Sequence, residues 1–321
     1  SPCRQIAASG LEEVYLNFDN ATILANNLGY QGGRDVPAGT TTAPVIRFGG
    51  VGSLADGTLL DLEVSNGTAY AAFRSVNNGL KARANGSFGV VNLLAAQPSD
   101  GMETSFVQLR FAFYDAATNA PVTIPRTHIT FYDFDTSAGG IRECMQASGG
   151  VVEQHVTEGT ELEELDVNST ALDAGGAVHP TLSAILSAQP ASLAPWDTSS
   201  SGVSSIFCST VVGIGSDNPI NPRLLTDIQQ SRSVMLTLDR VSSFSVRYAL
   251  AGATGSGRNF LFAGYSNVVA PLCDFPPPQL PPPTLPPPPS PFAPPSLLPL
   301  HPPPGFPIHP PRVPPSPSTP P

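Results

Sequence analysis

The sequence predicts an all-β fold, an antiparallel β-sandwich or jelly roll, followed by a tail in the polyproline II conformation. Apolar and polar residues alternate with period two in Phe106–Tyr114, and again in Val234–Leu238 and Phe244–Tyr248. Gly, Asn, Asp and Pro bound these short runs, and no helical periodicity alternates with them. The last 48 residues contain 25 of the chain's 37 prolines. We therefore expect a β-sandwich domain in residues 1–273 and a proline-rich tail in residues 274–321.

Twelve candidate strands follow in chain order, each a short run of β-branched, aromatic or alternating residues between turn formers. They are Leu11–Phe18, Val45–Phe48, Leu59–Val64, Ala69–Arg74, Phe88–Leu94, Phe106–Tyr114, His128–Asp133, Val151–Val156, Val203–Ser209, Val234–Leu238, Phe244–Leu250 and Phe260–Gly264. The segment Pro222–Arg232 predicts one or two helical turns. Residues 157–202 are the least strand-like, and we expect them to run over the surface, first as an acidic stretch and then as one rich in Ser, Ala and Pro.

The distribution of charged and apolar residues argues against a nucleic-acid partner and against a membrane-spanning segment. The net charge is −10, only 12% of the residues are charged, and Lys81 is the only lysine beside 14 scattered arginines. Binding to nucleic acid requires clustered basic residues that neutralise phosphates, so we expect no nucleic-acid partner. No apolar stretch approaches the roughly 18 residues that a membrane-spanning helix needs, so we expect no membrane span.

The first residues and the cysteines indicate an extracellular protein. The chain starts at Ser1-Pro2-Cys3 without Met, as expected for a mature N-terminus after removal of a signal peptide; an incomplete sequence would start in the same way. Its four cysteines form no C-x-x-C or Cys/His cluster, which argues against zinc. Of the three connectivities we favour Cys3–Cys273, which would join the two ends of the domain, with Cys144–Cys208, which would join two strand-like segments. Free buried thiols are the alternative.

Four N-x-[S/T] sequons predict N-glycosylation at Asn20, Asn66, Asn85 and Asn168. Two of them contain Asn-Gly, which is typical of exposed turns. We expect at least two of the four to carry glycans. Bulky sugars would also protect exposed sheet edges, which many proteins protect with lysines that this chain does not have.

Asp133 and Asp135 end the strong candidate strand His128–Asp133 and, as alternate residues, would point to the same side. Carboxylates that converge at a strand end suit a hard cation such as Ca²⁺, with further oxygens from Glu143, or from Asp217 and Asn218. A structural calcium ion is therefore one expectation, and a solvated strand end with an Asx turn is the other. We expect no other cofactor.

The sequence favours a protein that is not an enzyme. Asp133 and Asp135 are the only candidate pair for general acid–base catalysis, and no G-x-S-x-G motif is present. Trp196 and scattered tyrosines would suit a sugar-stacking platform, which is the basis of a lectin-like alternative. Three histidines lack a recognisable nucleophile context, namely His128, His155 and His179.

The proline-rich tail is expected to be extended. Proline fixes φ and lacks an N–H, so its runs favour polyproline II, which rises about 3.1 Å per residue and would reach roughly 140 Å here. Large apolar residues interrupt the prolines where a solvated linker would have polar ones. Because preformed proline-rich rods dock in apolar grooves at low entropic cost, we expect docking on another surface; a mobile stalk is the alternative. The residues are Leu280, Leu285, Phe292, Leu297, Leu298, Leu300, Phe306, Ile308 and Val313.

The chain combines a cysteine-joined β domain with a proline-rich tail that contains Ser290-Pro291, Ser316-Pro317 and Ser318-Thr319-Pro320. This organisation resembles the hydroxyproline-rich extracellular glycoproteins of algae, such as pherophorin and extensin-like matrix proteins and flagellar-hair glycoproteins. Three domain motifs look like signatures of secreted microalgal β domains: Phe131–Asp135, Gly215–Pro219 and Gly257–Gly264. The apolar content of this tail departs from that pattern and suggests that one face is buried while another carries sugar. The resemblance implies hydroxyprolines with short arabinose or galactose chains, with candidates at Pro277, Pro278, Pro282, Pro283, Pro287, Pro288, Pro289, Pro303 and Pro304.

Together these expectations describe a secreted structural glycoprotein that assembles with itself, head to tail, into an extracellular fibril. Each β domain would receive the tail of one or more neighbours, and a head-to-tail contact that does not close builds a helical filament. The alternative is a carbohydrate-binding, lectin-like module on a proline-rich stalk. A polysaccharide-modifying enzyme is a third hypothesis, which would depend on Asp133 and Asp135.

Overall fold

The chain divides into two units, residues 1–275 and residues 276–321. The computed structural model describes residues 12–34, 43–83, 85–97, 104–166, 205–252, 254–264 and 266–268, all in the first unit. Several predicted features lie outside the described residues. They are the Cys3–Cys273 disulfide, the sequon at Asn168, Trp196, and every docking and hydroxyproline position of the tail.

Fifteen β-strands are found among the described residues, as the alternating sequence predicts. Their lengths range from two residues to twelve. In chain order they are β1 (Glu13–Val14), β2 (Thr22–Asn26), β3 (Val45–Ser53), β4 (Leu59–Asn66), β5 (Gly79–Arg83), β6 (Gly86–Leu94), β7 (Thr104–Asp115), β8 (Ile124–Tyr132), β9 (Arg142–Ser148), β10 (Val151–His155), β11 (Leu162–Asp166), β12 (Ser205–Ser209), β13 (Val234–Val241), β14 (Ser243–Ala251) and β15 (Gly257–Ala263).

The strands form two sheets with one core between them, which confirms the predicted sandwich. The first sheet has the order β10-β13-β8-β15-β6-β5, and β1 pairs with β8 in parallel. The second sheet has the order β11-β12-β9-β14-β7-β4-β3-β2. The pairs along both paths are antiparallel. The last two strands, β14 and β15, therefore lie in the interior of the two sheets rather than at their edges.

Aromatic rings fill the space between the sheets. The ring of Phe262 lies 5.7 Å from that of Phe18, 5.8 Å from that of Phe48 and 5.2 Å from that of Phe111, all edge to face. Gly89 lies directly across from Phe262 on the neighbouring strand, and a Cβ atom there would overlap the ring. A glycine is therefore required at this position to make room for the central aromatic residue.

The sequence-based prediction misses four strands, β2, β5, β9 and β11. In β9 the core-facing position 143 is a glutamate, and Gln146 is also buried. These polar residues obscure the apolar alternation, because their partners lie on strands far away in the sequence. The strand β11 lies within the stretch that was expected to run over the surface as a loop.

The predicted strand Ala69–Arg74 is wrong, because side chains satisfy the backbone there. The Nε2 of Gln31 donates to Tyr70 O at 2.6 Å, and the Ala72 N–H donates to Gln31 Oε1 at 2.9 Å. The Tyr70 hydroxyl donates to Asn92 O at 2.7 Å. These bonds replace the ladder that a strand would form, so the segment stays irregular although its composition suits a strand.

The short helix expected within Pro222–Arg232 forms as α1 (Asp227–Ser231). Thr226 caps it: the Gln229 N–H donates to Thr226 Oγ1 at 3.4 Å, and the Thr226 N–H donates to Gln229 Oε1 at 3.1 Å. Within the described residues, no helix has the length and the apolar character needed to cross a bilayer.

Candidate functional site

The two aspartates singled out by the sequence follow β8 at one end of the sandwich. The strand stops at Tyr132, and Asp133 adopts a left-handed conformation with φ of 68°. A turn, rather than the strand alternation assumed from the sequence, therefore places the two side chains. Asp135 is buried, whereas Asp133 is partly exposed at the surface.

Arg258 of β15 holds the carboxylates of this end together. Its guanidinium forms an ion pair with Asp135, and its Nε donates to Glu143 Oε1 at 3.1 Å. The Tyr248 hydroxyl also donates to Glu143 Oε1, at 2.8 Å, and the Asp135 N–H donates to Glu143 Oε2 at 3.1 Å. Burial raises the pKa of Glu143 well above its usual range, and the nearby charge of Asp133 acts in the same direction.

A second arginine completes the group. Arg232 forms ion pairs with Asp217 and with Glu161, the latter at 2.6 Å. Burial alone would raise the pKa of Asp217, but the Ile214 N–H at 3.2 Å and the charge of Arg232 leave it below the ordinary value. We call the following residues the acid–arginine cluster: Asp133, Asp135, Glu143, Asp217, Arg232 and Arg258.

The structure thus brings Glu143 and Asp217 to the same end of the sandwich as Asp133 and Asp135, as the calcium hypothesis assumed. Guanidinium groups already contact three of these four carboxylates. Among the described residues, no group of three or more His, Cys, Asp or Glu side chains is arranged to hold a metal ion. A calcium ion at Asp133 and Asp135 stays a prediction.

We expect Asp133→Asn to stabilise the domain at neutral pH. Burial raises the pKa of Asp133 to about 6, although the charge of Lys81 opposes this. The folded form therefore holds the proton more tightly than the unfolded form, so wild-type stability falls as the pH rises from about 4 to about 6. Asn is uncharged and tolerates the left-handed conformation, so the free energy of unfolding should rise by about 2 kcal/mol at pH 7.

Urea unfolding at pH 4 and at pH 7 measures this gain, which should be absent at pH 4. The matched control is Asp56→Asn at an exposed carboxylate, where no gain is expected. An equal gain at both pH values would contradict the explanation by burial. Millimolar Ca²⁺ should stabilise the wild type more than Asp133→Asn if the calcium prediction is correct, because the variant loses a ligand.

A buried hydrogen-bonded chain crosses the first sheet and was not predicted. Glu13 Oε1 lies 2.7 Å from His128 Nε2, His128 Nδ1 lies 3.1 Å from Thr237 Oγ1, and Thr237 Oγ1 lies 2.9 Å from His155 Nε2. An acid, a histidine and a hydroxyl in this order also form hydrolytic triads. Here Thr237 is 0% exposed, so no substrate reaches its hydroxyl. The chain links strands β1, β8, β13 and β10, which sequence spacing does not reveal.

The three sequons among the described residues differ in accessibility. Asn20 and Asn85 are exposed. Asn66 is half-buried in β4, and its Nδ2, the atom that would carry a glycan, donates to Thr68 O at 2.8 Å. Glycosylation remains a prediction, and the geometry favours Asn20 and Asn85 over Asn66.

The predicted disulfide between Cys144 and Cys208 is confirmed. The two residues lie directly opposite each other on β9 and β12, with a Cα–Cα distance of 4.1 Å. They form a small apolar cluster with Leu165, Ile206 and Ala249, separate from the core between the sheets. The bond joins segments 64 residues apart in the sequence and so restricts the unfolded chain.

A loop before and around α1 exposes large apolar side chains next to the acid–arginine cluster. Ile214 is 78% exposed and Leu224 is 71% exposed. The backbone of this loop is fixed, since Gln229 Nε2 donates to Asn218 O at 3.2 Å. We call this surface the apolar loop, and it consists of Val211, Val212, Ile214, Ile220, Leu224 and Ile228.

The last described residues of the chain lie against the apolar loop. The Leu225 N–H donates to Asn267 Oδ1 at 2.8 Å, and Asn267 Nδ2 donates to Leu225 O at 3.1 Å. Val268, the next residue, is buried in the core.

Comparisons with known proteins add one structural likeness. No family model matches this chain, and no curated protein matches it. Among solved structures, the N-terminal domain of the Streptococcus gordonii adhesin Sgo0707 is similar, with a TM-score of 0.37 and 12% sequence identity. The match covers 79% of this chain and 62% of that chain, so this chain spans less than two thirds of that domain. A likeness this weak says nothing about function.

Proposed function

We propose that the protein is a secreted structural glycoprotein, without enzymatic activity, that assembles with itself through its proline-rich tail. The apolar loop carries this proposal. Several large apolar side chains are exposed within one loop of the folded domain, which is typical of a contact surface, and Ile214 and Leu224 are each more than two thirds exposed. The Cys144–Cys208 disulfide suits an oxidising extracellular compartment.

The tail has the chemistry that such a surface would bind. It is nearly uncharged and interrupts its prolines with residues such as Leu285, Phe292 and Phe306. Polyproline II segments lose little entropy when they dock, because they are already extended. Proline lacks an N–H, so apolar packing rather than strand addition would supply the contact.

The predicted length of the tail favours docking on a neighbouring copy. An extended tail of roughly 140 Å is several times the radius of gyration of a domain of this size, which is about 18 Å. A tail of that length would be long enough to reach a neighbouring copy. If each domain receives the tail of a neighbour, the contacts are head to tail and the assembly grows as a filament.

The described residues support a role without catalysis. The carboxylates Asp135 and Glu143 are contacted by Arg258, and the hydroxyl of Thr237 is buried. These groups are engaged in contacts within the domain, whereas Asp133 of the same cluster is partly exposed. These observations favour a scaffold whose polar networks stabilise the fold.

We expect Ile214→Ser/Leu224→Ser to abolish assembly while leaving the domain folded. Both side chains are exposed, so their loss removes contact area without opening a cavity. Sedimentation velocity and negative-stain imaging measure the assembly, and circular dichroism checks the fold. The matched control is Leu59→Ser at a 58% exposed leucine outside the apolar loop, which should assemble like the wild type.

Deletion of residues 276–321 tests the other half of the contact. The shortened protein should be monomeric and folded, because the described strands all lie before residue 264. Filaments of unchanged diameter and symmetry after this deletion would rule out the proposed assembly. If the deletion abolishes assembly but Ile214→Ser/Leu224→Ser does not, then the tail contacts another part of the domain.

A further inference from the structure

A cleft of about 120 Å³ opens at the edge of the first sheet, and none of its lining residues belongs to the acid–arginine cluster or to the apolar loop. It lies beside the edge strand β5 and below the single helical turn Ser75–Asn77. Cationic, amide and apolar side chains line it together. They include Lys81 of β5, Asn259 of β15, Asn77 and Val76 of the turn, and Arg34.

Two cations of the cleft are not held by an ion pair among the described residues, although the negative charge of Asp133 acts on Lys81 and raises its pKa against the effect of burial. Neither Lys81 nor Arg34 forms an ion pair within the part of the chain that the structure describes. Lys81 is the only lysine of a chain whose net charge is −10. Burial lowers its pKa, with the neighbouring charge of Arg83 acting in the same direction. A bound anion would offset both effects.

The amide of Asn259 is fixed so that it offers donors to the cleft. Its Oδ1 accepts from Asn92 Nδ2 at 2.9 Å and from Asn77 Nδ2 at 3.4 Å. Asn92 is itself held, because its Nδ2 also donates to Arg258 O at 3.1 Å. With the oxygen occupied, the two N–H donors of Asn259 Nδ2 have no acceptor among the described residues. The cleft thus combines two cations with a fixed amide donor, a set that selects an acceptor such as a carboxylate.

An exposed aromatic ring extends the site along the same strand. Phe73 is 43% exposed, and its side chain lies against Gly257, where a Cβ atom would overlap it. The guanidinium of Arg74 lies 5.4 Å from the centre of the ring, so a stacking sugar would share the ring with this cation or displace it. Gly257 and Asn259 are alternate residues of β15, so they share a face about 7 Å apart. Pyranose rings stack their C–H faces on aromatic rings. A carboxylate at Asn259 and a ring at Phe73 therefore match neighbouring units of one saccharide chain.

We propose that this cleft and Phe73 bind an acidic saccharide, a chain of pyranose units that carries carboxylates, as in polymers of uronic acids. The carboxylate accepts from Lys81, Arg34 and Asn259, and an adjacent unit stacks on Phe73. This function goes beyond self-assembly and does not depend on the tail. It would attach an assembled protein to an acidic polysaccharide.

Isothermal titration of the full-length protein with a galacturonate trisaccharide tests the site, with a neutral galactose trisaccharide as the comparison ligand. The acidic ligand should bind at least tenfold more tightly than the neutral one. Raising the salt concentration from 50 to 500 mM should lower the affinity for the acidic ligand several-fold, because salt screens the charges of the two cations. No binding of the acidic trisaccharide, or equal binding of both, would overturn the proposal.

Three variants assign the binding to named atoms. Lys81→Met removes a charge and should lower the affinity for the acidic trisaccharide at least tenfold. Asn259→Asp keeps the oxygen that accepts from Asn92 but replaces the donor by an acceptor, so it should abolish binding while the domain stays folded. The matched control is Arg83→Met, which removes an exposed charge from the same strand and should change the affinity less than twofold. Unchanged affinity in Lys81→Met and Asn259→Asp would place the ligand elsewhere and refute the site.

Discussion

Replacing Arg258 by Met should lower the free energy of unfolding by about 3–5 kcal/mol at pH 7. The guanidinium contacts Asp135 and Glu143, whose side chains are only 9% and 4% exposed. Methionine fills a similar volume but leaves Asp135 buried without its counter-charge. Urea unfolding at pH 7 measures this loss.

A double variant separates the charge from the packing. Arg258→Met/Asp135→Asn should recover a substantial part of the stability at pH 7, because the buried charge is gone. Arg83→Met, at an exposed arginine, should change stability by no more than about 0.5 kcal/mol. If the double variant were as unstable as Arg258→Met alone, packing rather than charge would explain the loss.

Phe262→Ala should cost about 3–5 kcal/mol as well, for a different reason. The ring contacts aromatic residues from both sheets, with Phe111 at 5.2 Å and Phe48 at 5.8 Å in the second sheet and Phe131 at 6.2 Å in its own. Its removal leaves a cavity at the centre of the core that rigid neighbours fill poorly. Thermal and urea unfolding measure the loss, and Phe73→Ala at a 43% exposed ring is the control with little expected change in stability.

The glycine opposite Phe262 provides a sharper test of the same packing. Gly89→Ala in the wild type should destabilise the domain, because the new methyl group would overlap the ring of Phe262. In the Phe262→Ala background the same change should cost much less, since the space is then empty. Equal costs in both backgrounds would show that the ring does not determine the need for glycine.

The fold class was predictable because apolar and polar residues alternate along single strands, and this alternation indicates that one face of each strand is buried. Phe106–Tyr114 and Phe244–Leu250 each show it, and they form the long antiparallel pair at the middle of the second sheet. Pairing was not predictable, since the partners are separated by more than a hundred residues. Position 143 shows why β9 was missed. A glutamate on the core side of a strand is stable here because Tyr248 and Arg258 contact its carboxylate, and the sequence alone does not reveal these partners.

The candidate sites were predictable in part. Asp133, Asp135, Glu143 and Asp217 are brought together as expected, but the arginines that contact this group carried no signal in the sequence. The apolar loop was missed because isolated residues such as Ile214 and Leu224 in a loop show no periodicity. The cleft around Lys81 depends on three separate segments, and only the rarity of lysine in this chain marked that residue beforehand.

The interior position of the last two strands has a consequence for biosynthesis. β15 pairs with β6 and β8, and about 160 residues separate the end of β6 from the start of β15. At roughly 5–20 residues per second, the ribosome needs on the order of ten to thirty seconds to make that interval. During this time β6 and β8 lack their common neighbour, and their apolar faces and open edges are exposed to other chains. We therefore expect the incomplete domain to be most prone to aggregation in the interval before β15 is made.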